Sequence, residues 1–290
     1  MDKSLLPEDD GLPARTFGKW TTAKIDYLQR YIDLFETSMR NKPWCARCYL
    51  DLYAGAGKFK VEGQSGFHLG SALVGITTKH PFTNYFFTDK SQENIDILTK
   101  RCQPAISIKK KFYVGDANIK VKEIIEEIKS LERNRSNEQW TSLNLAFLDP
   151  DGLELEWKTI EILASLSKMD LIIYYSQSGL TRNFDNCINL DTETDIDRFF
   201  GDREWRNIYK ISQHGKSQGL HRKLIDYYKH KLSTLGYADV RDVEDGAEPL
   251  MKNSKEAPLY RLIFASKHAK GHDFWNIVIK KDAFGQGKLF

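Results

Sequence analysis

After a polar opening stretch, apolar residues recur along the chain in two alternating rhythms. Ile25, Leu28, Ile32 and Phe35 share one face at helical spacing behind Thr21 and Thr22, either of which can cap, so a helix is predicted there. Tyr49-Leu50-Asp51-Leu52-Tyr53 is short, apolar and aromatic and runs into a glycine cluster, the mark of a buried strand. The alternation continues with a helix over 71–79, a strand over 84–88, a helix over 92–101, a strand over 111–114 and a strongly amphipathic helix over 119–131. A strand over 143–148 closes on Asp149-Pro150, a helix follows over 157–166, and 171–175 is again a buried strand. Strands and helices in such alternation predict a parallel sheet covered on both faces.

The rhythm breaks over 177–219, a polar stretch rich in Asp, Arg and Asn that reads as a partly helical insertion over one end of the sheet. A helix over 220–235 returns. Strands over 238–243 and 259–266 follow with no helix between them, which predicts an antiparallel pair. The expectation is therefore an α/β fold, a doubly wound sheet of seven strands whose last two form an antiparallel edge. Residues 1–18, with Pro7, Gly11 and Pro13, read as a flexible N-terminal arm, and 19–290 as a single domain carrying the insertion at 177–219.

Composition narrows the class without choosing the function. The 290 residues are 41% hydrophobic and 29% charged, which excludes collagen-like and disordered chains. Lys plus Arg number 43 against 40 for Asp plus Glu, so the net charge of +3 does not argue for nucleic acid or membranes, and any basic patch is local. No apolar run reaches the ~18 residues of a membrane span, and residues 1–10 are acidic and polar, unlike a signal peptide. Cys45, Cys48, Cys102 and Cys187 are too few for a disulfide scaffold at this length. The expected location is the cytoplasm, with reduced thiols and no membrane.

Four strand ends carry the candidate chemistry. In Asp51-Leu-Tyr-Ala-Gly55-Ala-Gly57 the glycines let backbone approach a ligand, although a glycine pair also suits a plain tight turn. Asp89 closes the next strand, where an acid accepts from ribose hydroxyls; its spacing exceeds the usual ~20 residues because a glycine-rich loop intervenes, and a solvated loop Asp is the plainer reading. Asp116, in Gly115-Asp116-Ala117-Asn118, could accept from an adenine amino group, or Asp116 or Asn118 could simply cap the helix that follows. Asp149-Pro150-Asp151-Gly152 places polar groups at a fourth strand end and is also good turn sequence. Independent turns would seldom set an acid at each of four successive strands, all facing one crevice.

Taken in order, Asp51–Gly57, Asp89, Gly115-Asp116 and Asp149-Pro150 resemble the motifs of class I S-adenosylmethionine-dependent methyltransferases. A closer resemblance is to the three-Cys-motif partner family of bacterial proteins. It rests on the stretch around Lys24, Tyr27-Leu28 and Tyr31, on Asp51–Gly57, Gly70-Ser71-Ala72, Phe147–Gly152, Leu180-Thr-Arg182 and Leu262–His268, and spans roughly 20–280. The resemblance implies a Rossmann-like class I methyltransferase fold, with a seven-stranded, mostly parallel sheet, an antiparallel last strand, an N-terminal helical extension and an inserted lid. It implies S-adenosylmethionine as cofactor and an iron–sulfur protein, bearer of the three cysteines, as partner. Gly55 and Gly57 would line the methionine and ribose, Asp89 the ribose, and Asp116 with Ala117 the adenine; Asp51 belongs to the same cofactor-binding set. Asp149 and Pro150 would face the methyl group as the catalytic pair, and Arg182 would touch substrate. In related enzymes that methylate nucleic-acid amines, a proline and an aromatic follow the Asp-Pro pair, the aromatic stacking on a flipped base. Here Asp151 and Gly152 stand there, a departure that weighs against base N-methylation.

The expected function is a methyltransferase acting on nucleic acid with its iron–sulfur partner; the alternative is a non-catalytic binding or partner subunit on the same fold. Arg198, Arg203, Arg206, Lys210 and Lys216, interleaved with Phe199, Phe200, Trp205 and Tyr209, suit single-strand binding, with Arg203 and Arg206 as phosphate contacts, or equally a packed lid with solvated arginines. A nuclease built on Asp191, Glu193, Asp195 and Asp197 ranks third. No metal is expected: Cys45 and Cys48 have ligand spacing but no second pair, and His214, His221 and His230 lack it. Lys109-Lys110-Lys111 reads as a solvated loop.

Overall fold

A computed structural model describes residues 2–212, 219–238 and 248–281. Strand β1 (Arg15–Phe17) leads into helix α1 (Trp20–Met39) and then β2 (Arg47–Asp51). A small hairpin, β3 (Lys58–Val61) and β4 (His68–Leu69), precedes α2 (Ser71–Thr77). Then come β5 (Asn84–Asp89), α3 (Gln92–Cys102), β6 (Lys109–Val114), α4 (Ala117–Arg133), β7 (Leu143–Leu148), α5 (Trp157–Ala164) and β8 (Met169–Tyr175). The inserted region holds α6 (Gln177–Cys187), α7 (Asp195–Phe200) and α8 (Glu204–Ile211), and the chain continues with α9 (Leu220–Thr234), β9 (Leu250–Lys252), β10 (Pro258–Ala265) and α10 (Ala269–Ile279).

Seven strands form the central sheet in the order β6-β5-β2-β7-β8-β10-β9. The first five run parallel, and β10 runs antiparallel to both β8 and β9. The sheet is buried on both faces because its side chains alternate between two cores. Leu50, Phe86, Ala146, Leu148, Leu171 and Ile173 face one layer, with α4, α5 and the inserted helices. Tyr49, Tyr85, Phe87, Leu145, Phe147 and Ile172 face the other, with α1, α2 and α10. Phe264 stacks on Trp275 at 5.0 Å between ring centroids, locking α10 to the sheet.

Several expectations are corrected by the structure. Strand β2 runs two residues earlier than expected, so that Asp51 is its last residue rather than its middle. The lysine run belongs to strand rather than loop: β6 begins at Lys109 and is an edge, where lysines discourage pairing with other chains. The expected strand at 238–243 lies almost wholly outside the described residues; the strand that pairs with β10 is β9. The helix α10 was not anticipated.

Over 177–212 the insertion is more ordered than its polar composition suggests; His214 and Lys216 lie outside the described residues. Phe184, Ile196, Phe199, Phe200, Trp205 and Tyr209 are buried in the core on that side of the sheet. The segment read as a flexible arm is also tied down. β1 pairs with β3 in a separate three-stranded sheet. Asp10 sits between Lys58 and Arg101, 2.8 Å from each, and Arg101 also donates to the carbonyls of Leu12 and Pro13. Buried charges of both signs persist only when paired, so the arm is part of the fold.

Candidate functional site

The C-terminal ends of β2, β5, β6 and β7 converge on one cavity of about 550 Å³, a size that suits a nucleoside-containing ligand. Gly55, Gly57, Asp89, Asp116, Ala117 and Asp149 all line it. Chain order thus turns into spatial order: parallel strands deliver each loop to the same sheet edge, on either side of the switch between β2 and β7. Asp51, Pro150, Arg182, Arg203 and Arg206 do not line it.

The turn after β2 requires its glycines. Gly55 has φ +58° and Gly57 φ +90°, left-handed values that favour glycine. A Cβ at Gly57 would stand 2.8 Å from Leu98 Cδ1, whereas one at Gly55 would meet nothing within 4 Å. The first glycine keeps the cavity open, and the second lets the loop pack against α3.

Asp89 is held by its neighbours with both oxygens engaged. The Gly55 amide donates to Oδ2 at 3.0 Å, while the Ser91 amide and Asn94 Nδ2 donate to Oδ1 at 2.8 and 3.0 Å. These bonds fix the carboxylate at the cavity wall, fill Oδ1 and leave Oδ2 one lone pair for a ligand hydroxyl. Asp116 is the N-cap of α4, its Oδ1 accepting from the Asn118 amide at 2.8 Å. The capping reading is therefore correct, and the residue lines the cavity as well. Asn118 joins α4 to the loop after β7, donating to the Glu154 carbonyl and accepting from the Glu156 amide.

Asp51 lies fully buried, with Oδ1 accepting from the Tyr53 amide at 3.3 Å and Oδ2 without a hydrogen-bond partner. Burial pushes its carboxyl up to about 7, against the pull of Ser71 and the Tyr53 amide. A carboxyl raised in the folded state keeps a proton that the unfolded chain releases near ~pH 4, so this group's contribution to stability falls as pH rises to about 7 and is level above. Asp51→Asn should flatten that slope and raise the unfolding free energy at about pH 8 by on the order of 1–3 kcal/mol. Denaturant titrations at acid and alkaline pH check this, with Glu36, also raised to about 7 by burial, retaining its own share.

Asp149 ends β7 against Lys24 of α1, whose Nζ lies 2.8 Å from Oδ1 and 2.6 Å from Oδ2. Burial pushes the Asp149 carboxyl up, and Lys24 opposes that shift. Lys24 Nζ stands 5.6 Å from the ring centroids of both Tyr174 and Tyr260, within cation–π range. Lys24 and Arg15 line the cavity too, and Arg15 reaches Asp151 at 3.3 Å. In the sequence Lys24 marks the family resemblance and carries no predicted site role. Its signal was present: Lys24 falls at the spacing of buried Thr21, Leu28, Tyr31 and Phe35, a charge on an otherwise inward face.

The three arginines assigned to substrate separate. Arg182 is exposed on α6, and Arg203 is about half exposed, donating to the Asp191 carbonyl at 2.6 Å. Arg206 is buried: Nε and Nη2 donate to Asp197 at 3.1 and 2.6 Å, and Nη1 reaches the Leu190 carbonyl. It supports the inserted helices and is not placed to meet a phosphate. Among the described residues no group of His, Cys, Asp and Glu is arranged to hold a metal, and no helix is long and apolar enough to cross a membrane.

No family model matches this chain, and no curated protein does. Solved structures resemble it at a distance. A protein from Legionella pneumophila shares 10% identity over 92% of this chain and 95% of its own, with a TM-score of 0.47. An O-methyltransferase from Bacillus cereus, solved with SAH, shares 12% over 92% of each chain, with a TM-score of 0.45. Trm1 from Pyrococcus horikoshii, solved with S-adenosyl-L-methionine, shares 11% over 93% of this chain, which spans 61% of that protein, with a TM-score of 0.42. The fold is read from this chain's own sheet: five parallel strands, then a reversed strand inserted before the edge, the arrangement of Rossmann-like class I methyltransferases.

Proposed function

We propose that this protein is an S-adenosylmethionine-dependent methyltransferase. The observation that carries the reading is the carboxylate of Asp89, fixed by three donors at the wall of a cavity that also collects Gly55, Asp116 and Asp149. The residues fit the cofactor. Asp89 keeps a lone pair on Oδ2 for a ribose hydroxyl, and open space lies over Gly55. When bound, the cofactor supplies an electrophilic methyl group on a sulfonium. The chain's own residues bind the nucleoside, exclude water from the cavity and orient the acceptor at Asp149.

The acceptor proposed is nucleic acid. Arg15 on β1, Lys90 after β5 and Arg182 on α6 are exposed cations, which suits a polyanion, and Arg203 adds another on the insertion. The three-Cys-motif iron–sulfur protein is proposed as partner on the sequence resemblance alone. A second reading, a non-catalytic subunit on this fold, is favoured by Asp151 and Gly152 after Asp149-Pro150. Calorimetry with SAH tests the cofactor: Asp89→Ala should cost about 2–4 kcal/mol of binding. Unchanged affinity in that variant, or no binding by the wild type at about millimolar SAH, ends the reading. Binding with no transfer to any acceptor favours the non-catalytic subunit.

A further inference from the structure

The contact between Lys24 and Asp149 bears on which atom receives the methyl group. Lys24 engages both oxygens of the carboxylate within the cavity, 15% and 13% of the two side chains being exposed. It approaches from α1, and the rings of Tyr174 and Tyr260, with centroids 4.6 Å apart, lie together on one side of its ammonium. The Tyr260 hydroxyl is turned away, donating to the Trp20 carbonyl at 2.8 Å. The polar end of the pair is thus a carboxylate and an ammonium presented together to the cavity.

An amine acceptor could use the carboxylate but gains nothing from the ammonium that holds both its oxygens. It attacks through a neutral lone pair and passes through a positively charged product, which an adjacent ammonium opposes. The ammonium also competes for the acceptors that would orient the amine. No ring follows Asp149-Pro150 to stack on a flipped base; Asp151 and Gly152 stand there instead. A hydroxyl acceptor has the opposite needs: a base for its proton, and a cation beside the oxygen as negative charge develops.

Resting on the methyltransferase reading above, we propose that the acceptor atom is a hydroxyl oxygen, with Asp149 as proton acceptor and Lys24 as the cation beside the attacking oxygen. The hydroxyl proton passes to Asp149 and the oxygen forms the new C–O bond. The C–S bond breaks with its electron pair staying on sulfur, and Lys24 keeps its proton throughout. Asp149 then returns the proton to solvent. Within a nucleic-acid strand the free hydroxyl is the ribose 2′-OH, so the substrate class is RNA and not DNA.

The test uses the full chain, labelled S-adenosylmethionine, and random single-stranded RNA and DNA pools of equal length. Label should enter RNA alone and survive alkaline hydrolysis in dinucleotides, because a methylated 2′ oxygen cannot attack its phosphate. Lys24→Met should lower the transfer rate by about 100-fold or more, and Lys24→Arg, which keeps the cation, should restore part of it. In filter binding with SAH present, the wild type should hold RNA about tenfold more tightly than DNA, and Asp149→Asn should narrow that margin. Label in methylated bases, equal use of DNA, or SAH bound with no label on RNA overturns the hydroxyl assignment and leaves the cofactor reading standing. Failure to bind SAH at all overturns the methyltransferase reading itself.

Discussion

Asp10→Asn should lower the unfolding free energy by about 3–5 kcal/mol, because it removes one partner of a buried ion cluster and leaves the others unmatched. The Asp10 side chain is 4% exposed, and those of Lys58 and Arg101 are fully buried. Lys58 also donates to the carbonyls of Lys3 and Glu8, and Arg101 to that of Ala56 in the glycine turn. The cluster therefore binds the N-terminal segment, the hairpin and the glycine turn into one unit. Burial pushes the Asp10 carboxyl up, but Arg101 and Lys58 more than reverse this and hold it well below the usual carboxylate range. A depressed folded pKa contributes stability that is fully present above the unfolded value near ~4 and is lost as pH falls below it. The wild type should thus lose stability on acidification, and Asp10→Asn should lose less. Because Arg15 and Phe17 carry the same segment into the cavity wall, the variant should also bind SAH more weakly. Unchanged stability at neutral pH would show that the segment does not depend on this cluster.

Trp205→Ala should cost about 3–5 kcal/mol through the cavity it leaves, and Arg206→Glu a comparable amount by setting two carboxylates against each other. Trp205 is fully buried, its Nε1 donating to Asp197 at 2.8 Å and its ring stacked on Phe184. Asp197 also closes a capping box with Thr194 at the start of α7. One carboxylate thus organises the inserted helices, and Arg206 neutralises it. Arg203→Glu, on a half-exposed side chain, should cost less than about 1 kcal/mol. If RNA crosses this region, Arg203→Glu alone should flatten the slope of log K against log salt by about one unit or less. Denaturant titration of the three variants separates the roles. A mild loss in Arg206→Glu would contradict the buried ion pair.

The alternation of buried strands and amphipathic helices made the sheet legible, since strands covered on both faces must be apolar along their whole length. The four strand ends were legible for the same reason: parallel connectivity sends each of them to one edge. Asp197 and Arg206 were not, because a short helix packed through a buried ion pair has the composition of a solvated loop. The arm failed likewise, since Asp10 looks solvated until Lys58 and Arg101 are known to meet it.

What the sequence by itself determined was local periodicity and the order of loops, and through them the fold class, the cavity's glycines and the acids Asp89, Asp116 and Asp149. Only the tertiary structure decided which charges are paired. Arg206 belongs to Asp197, and Lys24 belongs to Asp149 across 125 positions of chain. Hydrophobic burial leaves a period that a sequence displays, whereas an ion pair depends on where two distant segments come together. The acceptor chemistry proposed for this site rests on such a pair.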